Sequence, residues 1–321
     1  MNIISGQLGE EPEISVVVPV YNEDENIPIL GERLLNVFRE LGVSHEIIFV
    51  DDGSTDLSLE RILDLRKSHA EVKAIHFRAN RGKSAALAAG FRQARGRKVA
   101  TMDADFQEPP EEIPALMRNL DNGLDVVSGW RVNRRDPKAR IWASKMFNWL
   151  VRAITRTGFR DVNCGFKIFR REVVKRIEVY GDLHRVIPIL AYKEGFRVGE
   201  MQVSHSPRIH GESKFTGMTR GLHGIFDLVA VLFLANYQKR PLHFFGMTGF
   251  VMFSGGVAID LFLTLRYLFG FGYIGERLPL FMLGILLMLL GFQSFCMGLL
   301  GEMLTRRNMR EPAEKDLEKY L

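Results

Sequence analysis

Glu46-Ile47-Ile48-Phe49-Val50-Asp51-Asp52-Gly53-Ser54 is the stretch on which the reading of this 321-residue chain turns. A short, unbroken apolar run rich in β-branched residues suits a strand buried on both faces, as in a parallel sheet. What stops it is chemical: two acids, a glycine suited to a turn at positive φ, and Ser54. With Asp56, Ser54 is a candidate cap for a helix through Leu65. Outward from here the same unit recurs. Ile14 to Val20 ends in Pro19-Val20-Tyr21-Asn22-Glu23 and precedes an amphipathic stretch from Asp24 to about Leu41. Val72 to Phe77 precedes an alanine-rich helix from Gly82 to Ala94. Arg97 to Met102 stops at Asp103-Ala104-Asp105, Pro109-Pro110-Glu111 opens another helix, and Asp125 to Ser128 is a fifth strand. Strand alternating with helix predicts an α/β fold with a mostly parallel sheet and right-handed crossovers. Ligands of such sheets bind beyond the carboxyl ends of the strands, where Asp51, Asp52, Asp103 and Asp105 fall.

The last third differs. Two apolar spans, from about Phe244 to Leu268 and Leu278 to Leu300, each exceed the roughly 20 residues needed to cross a bilayer. Lys239 and Arg240 precede the first, and Arg306, Arg307 and Arg310 follow the second, so both ends read as cytoplasmic with a short hairpin outside. Gly221 to Asn236 reads as an amphipathic interfacial helix. Asp260, inside the first span, faces either a partner helix and the lipid route or the outer interface beside Arg266. The expected division is residues 1–220, a cytoplasmic catalytic domain; 221–241, interfacial helix and linker; 242–304, membrane hairpin; 305–321, a cytoplasmic charged tail, loosely ordered from Glu311. Met1 to Glu13 has neither a basic nor an apolar leader region, so it is not read as a signal peptide.

Net charge is +5, from 43 basic and 38 acidic residues, and its placement at Arg131 to Arg140 and beside the spans suits phosphates and anionic lipid. No nucleic-acid motif is present. The two cysteines, Cys164 and Cys296, lack CxxC spacing, which argues against metal or redox use. Neither GxGxxG nor GxxxxGK[ST] occurs, which removes support from dinucleotide and P-loop readings. A DxD pair alone is common on surfaces, but after a buried strand it suits a cation shared with a diphosphate: one carboxylate for Mg²⁺ or Mn²⁺, the other for a ribose. Asp52 can accept from a uracil or ribose, or serve the turn. Tyr21 can stack on a base and Glu23 can bond a nucleoside, or both belong to a strand-to-helix loop. Lys83, at a helix start, favours an anion. His205 and His210 flank Arg208 without a third metal ligand, so they read as solvated or phosphate-facing.

These motifs, in this order, resemble family 2 glycosyltransferases of the GT-A fold. More narrowly, the chain is similar to polyprenyl-phosphate glycosyltransferases, the group with dolichyl-phosphate mannose synthase, bactoprenol glucosyltransferase and undecaprenyl-phosphate aminoarabinose transferase. The matching stretches are Ser15–Asn26, Val50–Asp56, Asn80–Lys83, Asp103–Glu111, Asp161–Phe169, Arg208–Phe215 and Gly298–Glu302. The resemblance implies that Pro19, Tyr21, Glu23 and Asp52 hold the nucleoside, with Lys83 and Gln107 near the phosphates. Asp103 would touch ribose or metal and Asp105 the cation. Arg131, Arg208 and Lys214 would meet the acceptor phosphate, and Asp161 would act there as base or orienting residue. Lys167 stands where dolichyl-phosphate synthases carry Arg, which weakens a bidentate phosphate grip at that position. The implied reaction is metal-dependent inverting transfer from a nucleotide sugar, UDP-linked by branch, to undecaprenyl phosphate at the bacterial cytoplasmic membrane, for an envelope glycan or lipopolysaccharide. Related two-span enzymes can associate into oligomers. The alternatives are a processive polysaccharide synthase, although the Q/RxxRW motif is missing, a glycolipid synthase, or an inactive scaffold.

Overall fold

The computed structural model describes residues 11–132, 152, 158–181, 183–205 and 241–317, with backbone only at 274 and 305–317. It has two compact units, Met1–Leu232 and Phe233–Leu321. In the first, seven strands form one sheet: β1 (Ile14–Val20), β2 (His45–Asp51), β3 (Val72–His76), β4 (Lys98–Thr101), β5 (Val126–Arg131), β6 (Lys167–Arg170) and β7 (Val198–Val203), in the order β3-β2-β1-β4-β6-β5-β7. The first four are mutually parallel. β6 runs antiparallel between β4 and β5, and β7 pairs parallel with β5. The sequence did not mark β6 or β7. β6 is four residues, KIFR, with a cation at each end, and β7 carries a glutamate and a glutamine, so neither offers a long apolar run.

Helices α1 (Asn26–Leu41), α2 (Ser58–Ser68), α3 (Lys83–Gln93), α4 (Ile113–Asp121), α5 (Arg171–Arg176) and α6 (Ile187–Lys193) cover the sheet. Both faces of the central strands are buried, as the continuous apolar runs require. Val16, Val18 and Phe49 pack with α1 and α4 residues such as Leu34 and Leu116, while Val17, Ile48 and Val50 pack with Leu87 and Phe91 of α3. Asp56 accepts the Ser58 N–H (3.0 Å) at the start of α2, whereas the Ser54 hydroxyl serves another loop.

The second unit is a helical hairpin, α7 (Pro241–Leu268) and α8 (Leu278–Leu317). Both helices are long and apolar enough to cross a bilayer, with mean hydropathy 1.6 and 2.2. α8 continues helically through Leu317, into the segment expected to be loosely ordered. Contact is made through glycines seven residues apart. A Cβ on Gly249 would meet the Gly291 carbonyl oxygen at 2.6 Å, and one on Gly256 the Gly284 oxygen at 2.4 Å. Small residues allow the close backbone approach that drives packing where no hydrophobic effect operates. Phe250, Phe262 and Phe292 point outward and are exposed, as a lipid-facing surface needs. Asp260 packs on Gly284, so it takes the helix-facing position, while Arg266 donates to the Phe271 carbonyl (2.8 Å) instead of pairing with it.

Candidate active site

β1 has β2 on one side and β4 on the other, so the strand order reverses at its carboxyl end. That switch point collects Tyr21, Glu23, Asp51, Asp52 and Asp103. The loops there are held by backbone donors. Asn22 adopts φ 53°, uncommon for a residue with a side chain. The Ser54 hydroxyl accepts its N–H (2.9 Å), and its own Oδ1 accepts the Thr55 N–H (2.8 Å). Gly53, at φ 72°, lies against the backbone of Ala79 and Asn80, where a Cβ would come within 2.6 Å. Asp51 bonds His76 Nδ1 (2.7 Å) and accepts the Ser54 N–H (3.2 Å), which makes it the turn residue of the pair. The Asp52 carboxylate accepts the N–H groups of Arg81 (2.7 Å) and Gly82 (2.8 Å), pinning the loop that leads into α3. Glu23 accepts from the Asn26 amide (2.7 Å).

Across the switch point, Lys83 at the first turn of α3 reaches Asp103 Oδ1 at 2.5 Å. Burial works against ionisation of Asp103, but Lys83, Lys167 and Arg131 overrule it and hold the carboxyl below its ordinary value. Gly165 is a glycine because Asp103 lies on it: a Cβ there would be 2.6 Å from Oδ2. Lys167 is buried and donates to the Cys164 carbonyl; burial pulls its ammonium down to about 8. His184 bonds Ser84 (2.9 Å) and is held neutral by burial and Lys83, down to about 3.

Asp105 is buried, and Phe106 after it adopts φ 57°. Held outliers of this kind cluster at functional sites. Glu108 is buried near Arg131 (4.0 Å), His205 (3.9 Å) and the Cys164 thiol (3.9 Å). Burial, then the charges of Asp103 and Asp105, push its carboxyl up to about 8, so it is mostly protonated near pH 7. Arg131, the last residue of β5, is 10% exposed and grips Asp161 through Nε (2.7 Å) and Nη2 (3.1 Å). Burial opposes the guanidinium's charge, but this pair more than offsets that. Glu200 of β7 orders the Asp161 loop by accepting the N–H groups of Arg160 (2.8 Å) and Asp161 (3.0 Å).

Of the residues singled out in the sequence, the switch point brings together Pro19, Tyr21, Glu23, Asp52, Lys83, Asp103, Asp105 and Gln107, with Arg131 at the end of β5 and Asp161 in the segment before β6. Arg208, Lys214, His210 and the stretch 221–236 lie outside the described residues. His205, expected to be solvated or phosphate-facing, is buried beside Glu108. Sequence reasoning did not single out Glu108, Gly165, His184 or Glu200. Glu108 lay within the quoted Asp103–Glu111 stretch, but nothing in the chain announced its burial. No three His, Cys, Asp or Glu side chains converge to chelate a metal by themselves among the described residues. Carboxylate oxygens from Asp103 and Asp105 fit a hard cation that takes its remaining ligands from a substrate diphosphate and water.

A mostly parallel sheet with acids on both sides of its switch point, faced by buried and half-buried cations, defines a nucleotide-sugar transferase of the GT-A class. The fold agrees with solved glucosyl-3-phosphoglycerate synthase from Mycobacterium tuberculosis, crystallised with Mn²⁺, uridine diphosphate and phosphoglyceric acid. The TM-score is 0.55 at 17% identity, covering 70% of this chain and 78% of that one. The chain belongs to glycosyl transferase family 2, whose profile matches residues 15–178. It is an enzyme of that family. It is 36% identical to dodecaprenyl-phosphate galacturonate synthase of Rhizobium johnstonii, over 94% of this chain and 90% of that one. It is 39% identical to undecaprenyl-phosphate 4-deoxy-4-formamido-L-arabinose transferase of Pseudomonas aeruginosa, over 91% and 85%.

Proposed function

We propose that this enzyme transfers a sugar from a nucleotide sugar, UDP-linked, to a polyprenyl phosphate at a membrane surface, with inversion at the anomeric carbon. The observation that carries this reading is the facing of Asp103 by three buried or half-buried cations, Lys83, Lys167 and Arg131, with Asp105 buried two residues on, in a chain with a bilayer-length hairpin. Relatives named for dodecaprenyl and undecaprenyl phosphate support the acceptor class.

Tyr21, Glu23 and Asp52 line the nucleoside end, and Pro19 shapes it. Lys83 and Gln107 adjoin the diphosphate. Asp105, with Asp103, would hold Mg²⁺ or Mn²⁺, which when bound neutralises charge on the leaving diphosphate. The acceptor phosphate monoester is largely a dianion near neutral pH, its second pKa being about 6. It therefore needs little help from a base and much relief from repulsion. Arg131, with Arg208 and Lys214, supplies that relief. Asp161, both of whose oxygens meet Arg131, acts by aiming the guanidinium.

Residues 1–220 would form the cytoplasmic catalytic domain, 221–241 an interfacial helix, 242–304 the membrane hairpin and 305–321 a cytoplasmic tail. The setting would be a bacterial inner membrane, the product a lipid-linked monosaccharide for an envelope glycan or lipopolysaccharide, and the enzyme a homo-oligomer. The test is transfer from radiolabelled UDP- and GDP-sugars to undecaprenyl phosphate in detergent, with Mg²⁺, Mn²⁺ or EDTA, beside Asp105→Ala. A lipid-linked monosaccharide formed only with metal and lost in the variant is expected. Absence of product from every donor with a folded enzyme would refute the reading.

A further inference from the structure

Behind Asp103 lies a narrow cavity lined by Lys83, Thr101, Asp103, Asn163, Lys167 and His184, among others. Its volume, ≈ 20 Å³, suits one small group at the tip of a sugar and not a diphosphate. Its walls carry two ammonium groups and one carboxylate. Lys83 is paired with Asp103 at 2.5 Å. Lys167 is 2% exposed, and its hydrogen-bond partner among the described residues is the neutral Cys164 carbonyl oxygen. An ammonium has three donors. A buried charge with one neutral acceptor is costly unless an opposite charge joins it. Asp103 also faces Lys167, but it is already paired with Lys83, and Asp161 is gripped by Arg131, so in the cavity two ammonium groups meet one carboxylate. His184, neutral, adds no charge of either sign.

We propose that Lys167 receives a carboxylate carried by the donor sugar, so that the transferred residue is a uronic acid. This rests on the donor being a nucleotide sugar, as argued above, and adds which sugar class. One relative is named for galacturonate and the other for an uncharged formamido-arabinose, so the chain's own pocket has to decide. A phosphate of the donor could supply the same negative charge. Donors that share UDP and differ only at C6 separate the two sources.

The experiment uses the full-length enzyme in detergent with undecaprenyl phosphate and Mg²⁺. Calorimetric binding and turnover are measured for UDP-galacturonate and UDP-glucuronate against UDP-galactose and UDP-glucose, for wild type, Lys167→Met and Lys167→Arg. A uronate is expected to be favoured at least tenfold over its neutral counterpart. Lys167→Met should cut that ratio at least tenfold, and Lys167→Arg should retain most of it. Equal use of neutral donors by wild type, or a proportional loss with both donor types in Lys167→Met, overturns the proposal. If Lys167→Met does not fold, the wild-type ratio and Lys167→Arg decide. If no donor yields a lipid product, the acceptor assignment fails, while the ratio of binding affinities still tests the pocket.

Discussion

Asp161→Asn separates orientation from base catalysis. Asp161 holds Arg131 through two hydrogen bonds at 2.7 and 3.1 Å, and the guanidinium is 10% exposed. Removing one partner of a buried ion pair costs roughly 3–5 kcal/mol, because the other charge is stranded. Two features reduce that here. Asparagine keeps one acceptor oxygen, and Glu108, 4.0 Å from Arg131, can ionise to meet the charge. A loss of about 2–3 kcal/mol is therefore expected, which at about 2–4 °C per kcal/mol for a domain of this size lowers Tm by about 5–10 °C. The assay is thermal unfolding of the purified enzyme in detergent, run with kcat/KM for lipid transfer. Activity should fall about 100-fold, since a displaced guanidinium no longer faces the acceptor. A cycle with Arg131→Met should give a stability coupling of about 2 kcal/mol. An Asp161→Asn enzyme of unchanged Tm, with activity lost and no coupling to Arg131, would refute the orienting role and make Asp161 the base.

Gly165→Ala places a Cβ 2.6 Å from Asp103 Oδ2, so the carboxylate must move; a 10- to 100-fold fall in kcat with Tm lowered by only a few degrees is expected from steady-state kinetics and calorimetry. In the hairpin, Gly291→Val pushes against the Gly249 carbonyl oxygen, 2.6 Å from the new Cβ, and should lower the temperature at which the detergent-solubilised protein aggregates, whereas Val257→Leu on the exposed face should not. The pH dependence has two arms. Glu108 is raised in the fold from an ordinary 4.5 to about 8, so the folded state holds a proton that the unfolded state releases; stability falls as pH rises through that window, by at most about 1.4 kcal/mol per unit. Lys167 is lowered from 10.5 to about 8, so above pH 8 the unfolded state binds the extra proton and stability recovers. Denaturant titrations from pH 5 to 10 should show a shallow minimum near pH 8, and Glu108→Gln should flatten the acid arm alone.

Much of the first half was legible because its signals are local. Unbroken runs such as Ile47 to Val50 need burial on both faces wherever they occur, and the acids ending them fall at strand ends by covalent connection. The glycines at 249, 256, 284, 291 and 298 could be counted in the chain but acquire meaning only when two helices meet. β6 was hidden because four residues between cations carry too little pattern, and its antiparallel insertion between β4 and β5 rests on pairing partners distant in sequence. The same holds for His205, which reads as a polar loop residue and is buried against Glu108, 97 positions upstream.

The sequence by itself determined an α/β domain with acids at its strand ends, two bilayer-length spans, and the family to which their order belongs. Hydrophobic period, chain order and span length are properties of neighbours along the chain. Only the tertiary structure decided what each charge faces: that Asp51 serves the turn and Asp52 the loop into α3, that Asp103 belongs to Lys83 and Asp161 to Arg131, that Glu108 is mostly protonated near pH 7, and that Lys167 is buried with a carbonyl for company. Most of those outcomes depend on Coulomb and desolvation energies between residues 20 or more positions apart, which act through the space that the fold creates.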